Sequence, residues 1–252
     1  PAPCQISPHR STAPPTSFYR VIRCEGRMPS ALLTVVLLLV AEPSLFDLAR
    51  PATRQGLPAG WQLRAVGGHR APTFRIVDDS TDGLRLTVHG RDQAAWAWRH
   101  LPAAVTDAAV SLAWSWRVLT APPGADLRFK KSDDAPLRVF VVFGTVEDMA
   151  RGKARAIFYC WGSEEPEGYT GRSPVSAQIL IRRLAGGAEV GPAWQAAAVR
   201  PFEDYRRFWG GAAPPIRAVG LMQDTDQTDT SAEAELRELR WVSSDPTTSE
   251  GS

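Results

Sequence analysis

The sequence predicts an all-β fold, a sandwich or jelly roll of about ten strands with one or two short helices. From Trp61 onward, short runs rich in Val, Ile, Phe and Trp alternate with clusters of Gly, Pro, Asp and Ser, which is the punctuation of many strands. Helical periods are nearly absent from the same region. At 252 residues, with 44% hydrophobic and 22% charged side chains, the chain has the composition of an ordinary globular protein with a sizeable core.

Taken in order, Pro1–Arg27 is rich in Pro, Ser, Thr and Arg with no hydrophobic period, and reads as an upstream extension that is not part of the native mature protein. Met28 follows, then the uncharged run from Ala31 to Ala41, preceded by Arg20, Arg23 and Arg27. That is the form of a secretory signal peptide. As a helix the run would rise only about 16 Å, short of the ~30 Å hydrocarbon core. Residues 28–52 are therefore expected to be a signal region, cleaved near Ala41 or near Ala49–Ala52, and the protein to be periplasmic or secreted with no membrane insertion afterwards. Removing residues 1–41 takes away four Arg and one Glu and leaves a net charge of −1. Nothing electrostatic then points to nucleic acid or an anionic membrane. Cys4 and Cys24 leave with the same segment, so Cys160 stands alone and the core must hold without disulfides.

A single sandwich domain is expected over residues 56–242. Its clearest strand is Val110–Val118, in which every even position is large and apolar and every odd one is small or polar. Further strands are expected at Trp61–Val66, Thr73–Val77, Leu84–Val88, Trp96–Leu101, Leu137–Phe143, Ala156–Trp161, Ala177–Leu184, Ala196–Arg200, Ile216–Gln223 and Ala232–Trp241. Leu137–Phe143 and Ile157–Trp161 are apolar on both faces apart from Arg138, as central strands covered on each side would be. Val146–Lys153 and Phe202–Trp209 read as helices. In the second, Phe202, Tyr205, Phe208 and Trp209 recur at i, i+3, i+6 and i+7 on one face, and Gly210 supplies the cap. Ser243–Ser252 reads as a polar, disordered tail.

Standard catalytic signatures are missing: there is no Gly-x-Ser-x-Gly, no His-Glu-x-x-His, no P-loop and no Cys-x-x-Cys. Three polar clusters remain. Asp133 and Asp134 stand at the entrance of the strand that carries Arg138, since Pro136 has no ladder hydrogen to give. A buried guanidinium needs a carboxylate partner, and either acid is placed to provide it. Asp224, Thr225, Asp226 and Asp229 follow an apolar strand; Asp224, Asp226 and Asp229 offer the hard oxygens calcium prefers, without the Gly and terminal Glu of an EF-hand loop. Trp161 and Tyr169 flank the acidic loop Glu164–Glu167, a pairing of rings and acids that suits sugars.

Three ordered motifs carry a family resemblance: Ser132–Phe143, Ala156–Trp161 and Val219–Thr228. The chain resembles the bacterial domain-of-unknown-function family 3047 from about Gly56 to Trp241. The resemblance implies an exported jelly-roll or galactose-binding-like sandwich with no established activity. The family's Asp-Asp-x-Pro-x-Arg motif falls on Asp133, Asp134, Pro136 and Arg138, and its Asp-Thr-Asp motif on Asp224, Thr225 and Asp226. In the last strand the chain departs from the family, with Leu236-Arg237-Glu238-Leu239 where members close on Tyr-Gly-Asp-Ile-like residues. The expected function is a non-catalytic binding module for carbohydrate or another cell-envelope component. The alternatives are a glycan-active enzyme using Asp134 and Asp226 as its acid–base pair, and a structural envelope or assembly protein.

Overall fold

The computed structural model describes residues 44–49 and 53–243. The upstream extension, the apolar run at 31–41 and the tail from 244 lie outside the described residues. Among the described residues, twelve strands form two sheets: β1 (Gln62–Ala65), β2 (Thr73–Asp79), β3 (Gly83–Arg91), β4 (Ala94–Val105), β5 (Ser111–Thr120), β6 (Ala135–Phe143), β7 (Arg155–Gly162), β8 (Thr170–Arg172), β9 (Ile179–Gly186), β10 (Gln195–Val199), β11 (Ile216–Asp224) and β12 (Ser231–Val242). The seven-stranded sheet runs β1-β4-β11-β6-β7-β9-β8, and the five-stranded sheet runs β10-β5-β12-β3-β2. All pairings are antiparallel except β7 with β9. Among the described residues there are two α-helices, α1 (Val146–Ala150) and α2 (Pro201–Trp209).

The all-β sandwich is as expected, and the alternation in β5 explains how its halves meet. Leu112, Trp114, Trp116 and Val118 point inward and are buried. Trp116 packs edge-on against Trp161 of β7 at 5.5 Å between ring centroids, and Trp114 lies 6.0 Å from Tyr159. Rings of this size bury about 150–250 Å² each. These contacts between strands of opposite sheets make the main core.

Every residue of β6 is buried, because the seven-stranded sheet is covered on both faces. Leu137, Val139 and Val141 face the sandwich interior. Phe140 and Val142 face the other way, into a second cluster with Phe158, Cys160, Ile181, Met222, Leu127, Val146 and Met149. Phe140 stacks on Phe158 at 4.9 Å, and a Cβ at Gly220 on the neighbouring strand would overlap the Phe140 ring. Helix α1 is short and covers this outer cluster; Thr145 caps it, accepting from Asp148 N. Helix α2 lies over the edge of the main core, with Phe202 and Tyr205 both packed against Phe143.

The core also takes in residues upstream of the Gly56 boundary. Leu45, Phe46 and Leu48 are buried in the main cluster. Leu45 N donates to Leu239 O of β12 at 3.0 Å, and Leu45 O accepts from Trp61 Nε1 and from Arg99 Nη1. Phe46 meets Trp61 edge-on at 5.0 Å. Truncating Phe46→Ala should cost about 3–5 kcal/mol, the range for large-to-small changes in a packed core. The expected reading is a lower guanidinium midpoint at unchanged slope. A midpoint within error of the parent would mean that this strap is loosely held.

Candidate functional site

Arg138 fixes the site's position. It lies in the row Met222–Arg138–Cys160 across β11, β6 and β7, on the outer face of a sheet where no water reaches it. Its Nη2 donates to Asp133 O at 2.7 Å and to Asp133 Oδ1 at 3.0 Å, and stands 3.6 Å from Asp224 Oδ2. Burial works against the guanidinium's charge, but the carboxylates of Asp133 and Asp224 outweigh it and hold its pKa above the ordinary value. Burial also pushes the Asp133 carboxyl up, with Arg138 pulling the other way. The Cys160 thiol, equally buried, is raised too, so it behaves as a small hydrophobe and not as a nucleophile.

Asp224 arrives beside Arg138 because β11 pairs with β6. The register shifts between Met222 and Asp224 opposite Pro136, where the missing proline hydrogen leaves a gap in the ladder. Gln223, fully buried, reaches across and donates to Pro136 O at 3.0 Å and Val88 O at 3.3 Å, joining the two sheets. Thr225 exchanges hydrogen bonds with Gln93: its amide and its hydroxyl both donate to Gln93 O at 3.0 Å, and its Oγ1 accepts from Gln93 N at 3.1 Å. Asp134 accepts from Gln227 N at 3.2 Å, from Thr228 N at 2.7 Å and from Thr228 Oγ1 at 2.6 Å. The two Asp motifs, roughly ninety residues apart in the chain, are thereby locked together at one end of the sandwich.

Asp134, Asp224 and Asp226 each offer an oxygen within 4.8 Å of the others. Burial raises the Asp224 carboxyl well above its ordinary 3.8, and Asp226 and Asp134 add to the rise while Arg138 opposes it. His69 Nε2 stands 3.4 Å from Asp226 Oδ2, and its Nδ1 is 3.6 Å from Asp92 Oδ1. His69 also lines an open cleft of about 360 Å³ together with Gly68, Arg70, Arg91, Asp92 and Gln93. The loop that carries it is stitched to β4 by Val66 N to Ala94 O and Ala94 N to Arg70 O.

Six of the residues singled out from sequence thus meet: Asp133, Asp134, Arg138, Asp224, Thr225 and Asp226. Trp161 and Tyr169 do not form a sugar platform with the acidic loop. Trp161 is fully buried between the sheets, Tyr169 is half-buried against the outer cluster, and Glu165 is buried. Glu165 accepts from Leu127 N and Ser163 N and pairs with Arg183, so it holds loops, and at 1% exposure it is out of a sugar's reach. Asp229, counted with the calcium candidates, sits in the turn at φ 50° and is not among the three clustered acids. His69, Gln93 and Gln223 carried no sequence signal of their own.

Fold and site together define a two-sheet β-sandwich protein with a buried acid–arginine network under a polar end cleft. The chain belongs to the family described as "Protein of unknown function (DUF3047)", which matches residues 59–240. No curated protein matches it. Among solved structures it is similar to a family 11 carbohydrate-binding module of a cellulosomal cellulase of Clostridium thermocellum, at 11% identity and TM-score 0.43, covering 81% of this chain and 96% of the module. It is also similar to the xyloglucanase domain of NopAA, a type three effector from Sinorhizobium fredii, in complex with cellobiose, at 10% identity and TM-score 0.40, covering 74% and 95%.

Two measurements test the network. Arg138→Met leaves Asp133 and Asp224 buried without their counter-charge and should destabilise by about 3–5 kcal/mol; adding Asp133→Asn and Asp224→Asn should recover part of the loss. A triple variant no better than the single would place the cost elsewhere. For pH, the raised Asp224 value means the folded state holds its proton more tightly than the unfolded chain. The stability it contributes is present below about pH 3.8 and is lost as pH rises through the raised value. In chelator, the parent should therefore lose stability relative to Asp224→Asn as pH climbs above 4; parallel curves for the two proteins would contradict it.

Proposed function

We propose that the protein is a non-catalytic, exported binding module whose ligand is a hydroxyl-rich carbohydrate or another polar cell-envelope component, held in the cleft beside His69. The observation that carries this reading is the meeting of the two Asp motifs beside a cleft lined by His69, Arg70, Arg91, Asp92 and Gln93, with Asp226 against His69 and Thr225 bonded to Gln93. Arg70, Arg91 and Asp92 are exposed there. Guanidinium, carboxylate, amide and imidazole groups converging on one concavity suit a ligand recognised through hydroxyls or acid groups.

Acid–base hydrolysis is a poorer account of the same residues. A glycosidase pair must reach a scissile bond across about 5–10 Å of open cleft. Asp134 is buried with three donors on its oxygens, and Asp226 is closer to it than that range requires. A structural or assembly role is the second reading. It is favoured because no Trp or Tyr is among the large hydrophobic side chains exposed in the described residues.

Export rests on the apolar run after Met28, which lies outside the described residues. Among the described residues, no helix is long and apolar enough to cross a membrane. Cleavage near Ala41 would keep the Leu45–Leu48 strap on the domain, whereas cleavage at Ala49–Ala52 would remove it.

Affinity electrophoresis against neutral and acidic polysaccharides tests the binding reading. Retention is expected on at least one polymer, with no new reducing ends released. It should be lost in Arg70→Ala/Arg91→Ala at an unchanged melting temperature. Absence of retention across the panel would favour the structural reading, and release of reducing ends would restore the enzymatic one.

A further inference from the structure

We propose that Asp134, Asp224 and Asp226 together hold one divalent cation of the calcium class, which ties the entrance of β6 to the turn that follows β11. The three oxygens lie within 4.8 Å of one another. Calcium–oxygen distances of about 2.3–2.6 Å put ligands on opposite sides of the ion roughly 4.6–5.2 Å apart, so the spacing matches one shared ion.

A second, independent observation comes from the hydrogen-bond inventory. Asp224 Oδ1 and Asp226 Oδ1 are buried and have no partner, and the two side chains are only 8% and 7% exposed. Buried polar oxygens are almost always satisfied, and an orphaned anionic one is costly. Asp134 has capacity left as well: its Oδ2 takes both Thr228 donors, while Oδ1 takes Gln227 N alone and keeps a lone pair. Charge points the same way. Four carboxylates, Asp133, Asp134, Asp224 and Asp226, face one guanidinium, which pairs with Asp133 and more distantly with Asp224, with His69 against Asp226. A divalent ion would neutralise most of that excess.

The donor set selects the ion's class. All three ligands are hard carboxylate oxygens, with no thiolate among them, which suits calcium or magnesium and not zinc or copper. Magnesium gives up its water reluctantly and demands regular octahedral geometry, so a buried three-carboxylate pocket fits calcium better. Water from the adjoining cleft would complete the coordination. Asp229 is not a ligand in this arrangement. The inference stands whether or not the cleft takes a glycan.

The test titrates the chelator-treated full chain with calcium chloride and, separately, magnesium chloride, by calorimetry and thermal melting. One calcium per chain is expected, with the melting temperature rising about 5–10 °C at hundredfold saturation and magnesium weaker. Asp226→Asn should abolish both effects while Asp229→Asn keeps them. Native mass spectrometry of the parent with calcium should show one ion retained, which needs no variant to fold. Absence of calcium heat, melting shift and retained ion in the parent would overturn the proposal, leaving the cluster to be held by a shared carboxyl proton. So would binding that survives Asp226→Asn in a folded protein, or that is lost in Asp229→Asn.

Discussion

A guanidinium in the middle strand of a sheet covered on both faces is the constraint on which this end of the molecule depends. Transferring such a charge from water is repaid only where carboxylates and carbonyls meet it with good geometry. Arg138 has no solvent to turn to, since Met222 and Cys160 flank it and apolar side chains continue on either side. Asp133 is held five residues before it by the proline-interrupted strand entrance, and Asp224 is brought by the neighbouring strand. Bringing Asp224 also brings Thr225 and the turn to Thr230. That turn closes over Asp134 and fastens to Gln93. The cleft beside His69 is thus placed by a requirement that begins inside the sheet.

The opposite half of the sandwich has no comparable charge problem in its core. Trp114 and Trp116 project from β5 onto Tyr159 and Trp161 of β7, and this aromatic bridge sets the spacing of the two sheets. On its outer face the five-stranded sheet carries an ion-pair network in which Arg117 and Glu235 are buried and Asp79 and Asp82 are partly open to solvent. Arg117 pairs with Glu235 and Asp82, and Arg85 with Glu235 and Asp79. Trp194 lies against both Arg117 and Arg237, at 4.6 and 4.2 Å from the ring centroid. Both sheets therefore neutralise buried charge internally, the five-stranded one through Arg117 and Glu235 and the seven-stranded one through Arg138 and its aspartates.

Much of this was legible in the residues. The period of two in β5, and runs apolar on both faces in β6 and β7, identify a sandwich with covered central strands. Eleven of the twelve strands carry such signals. The exception, β8, is Thr-Gly-Arg, too short for any pattern and held only by pairing with β9. Arg138 announced itself as the odd residue of an apolar strand, and its partner five residues away was within reach of local reasoning. That Asp224 is the second partner depends on β11 lying next to β6, a long-range fact that acidic turns do not encode. Trp161 was legible both as the end of a covered central strand and as a ring beside an acidic loop, and its parity with Ile157 and Tyr159 assigns it to the inward face. His69 gave no signal because its importance comes from a loop meeting the turn after β11.

The contact of Leu45 with Leu239 has a consequence in time. A segment at the front of the domain closes onto its final strand, and β12 itself lies between β5 and β3 in the middle of its sheet. Contacts this distant in sequence slow the search for the native state. Until β12 emerges, from the ribosome or from a translocation channel, β3 and β5 each present an unpaired edge and the strap has nothing to rest on. Exposed edges of that kind invite association with other chains. The five-stranded sheet and the strap therefore complete together, once β12 is available to pair.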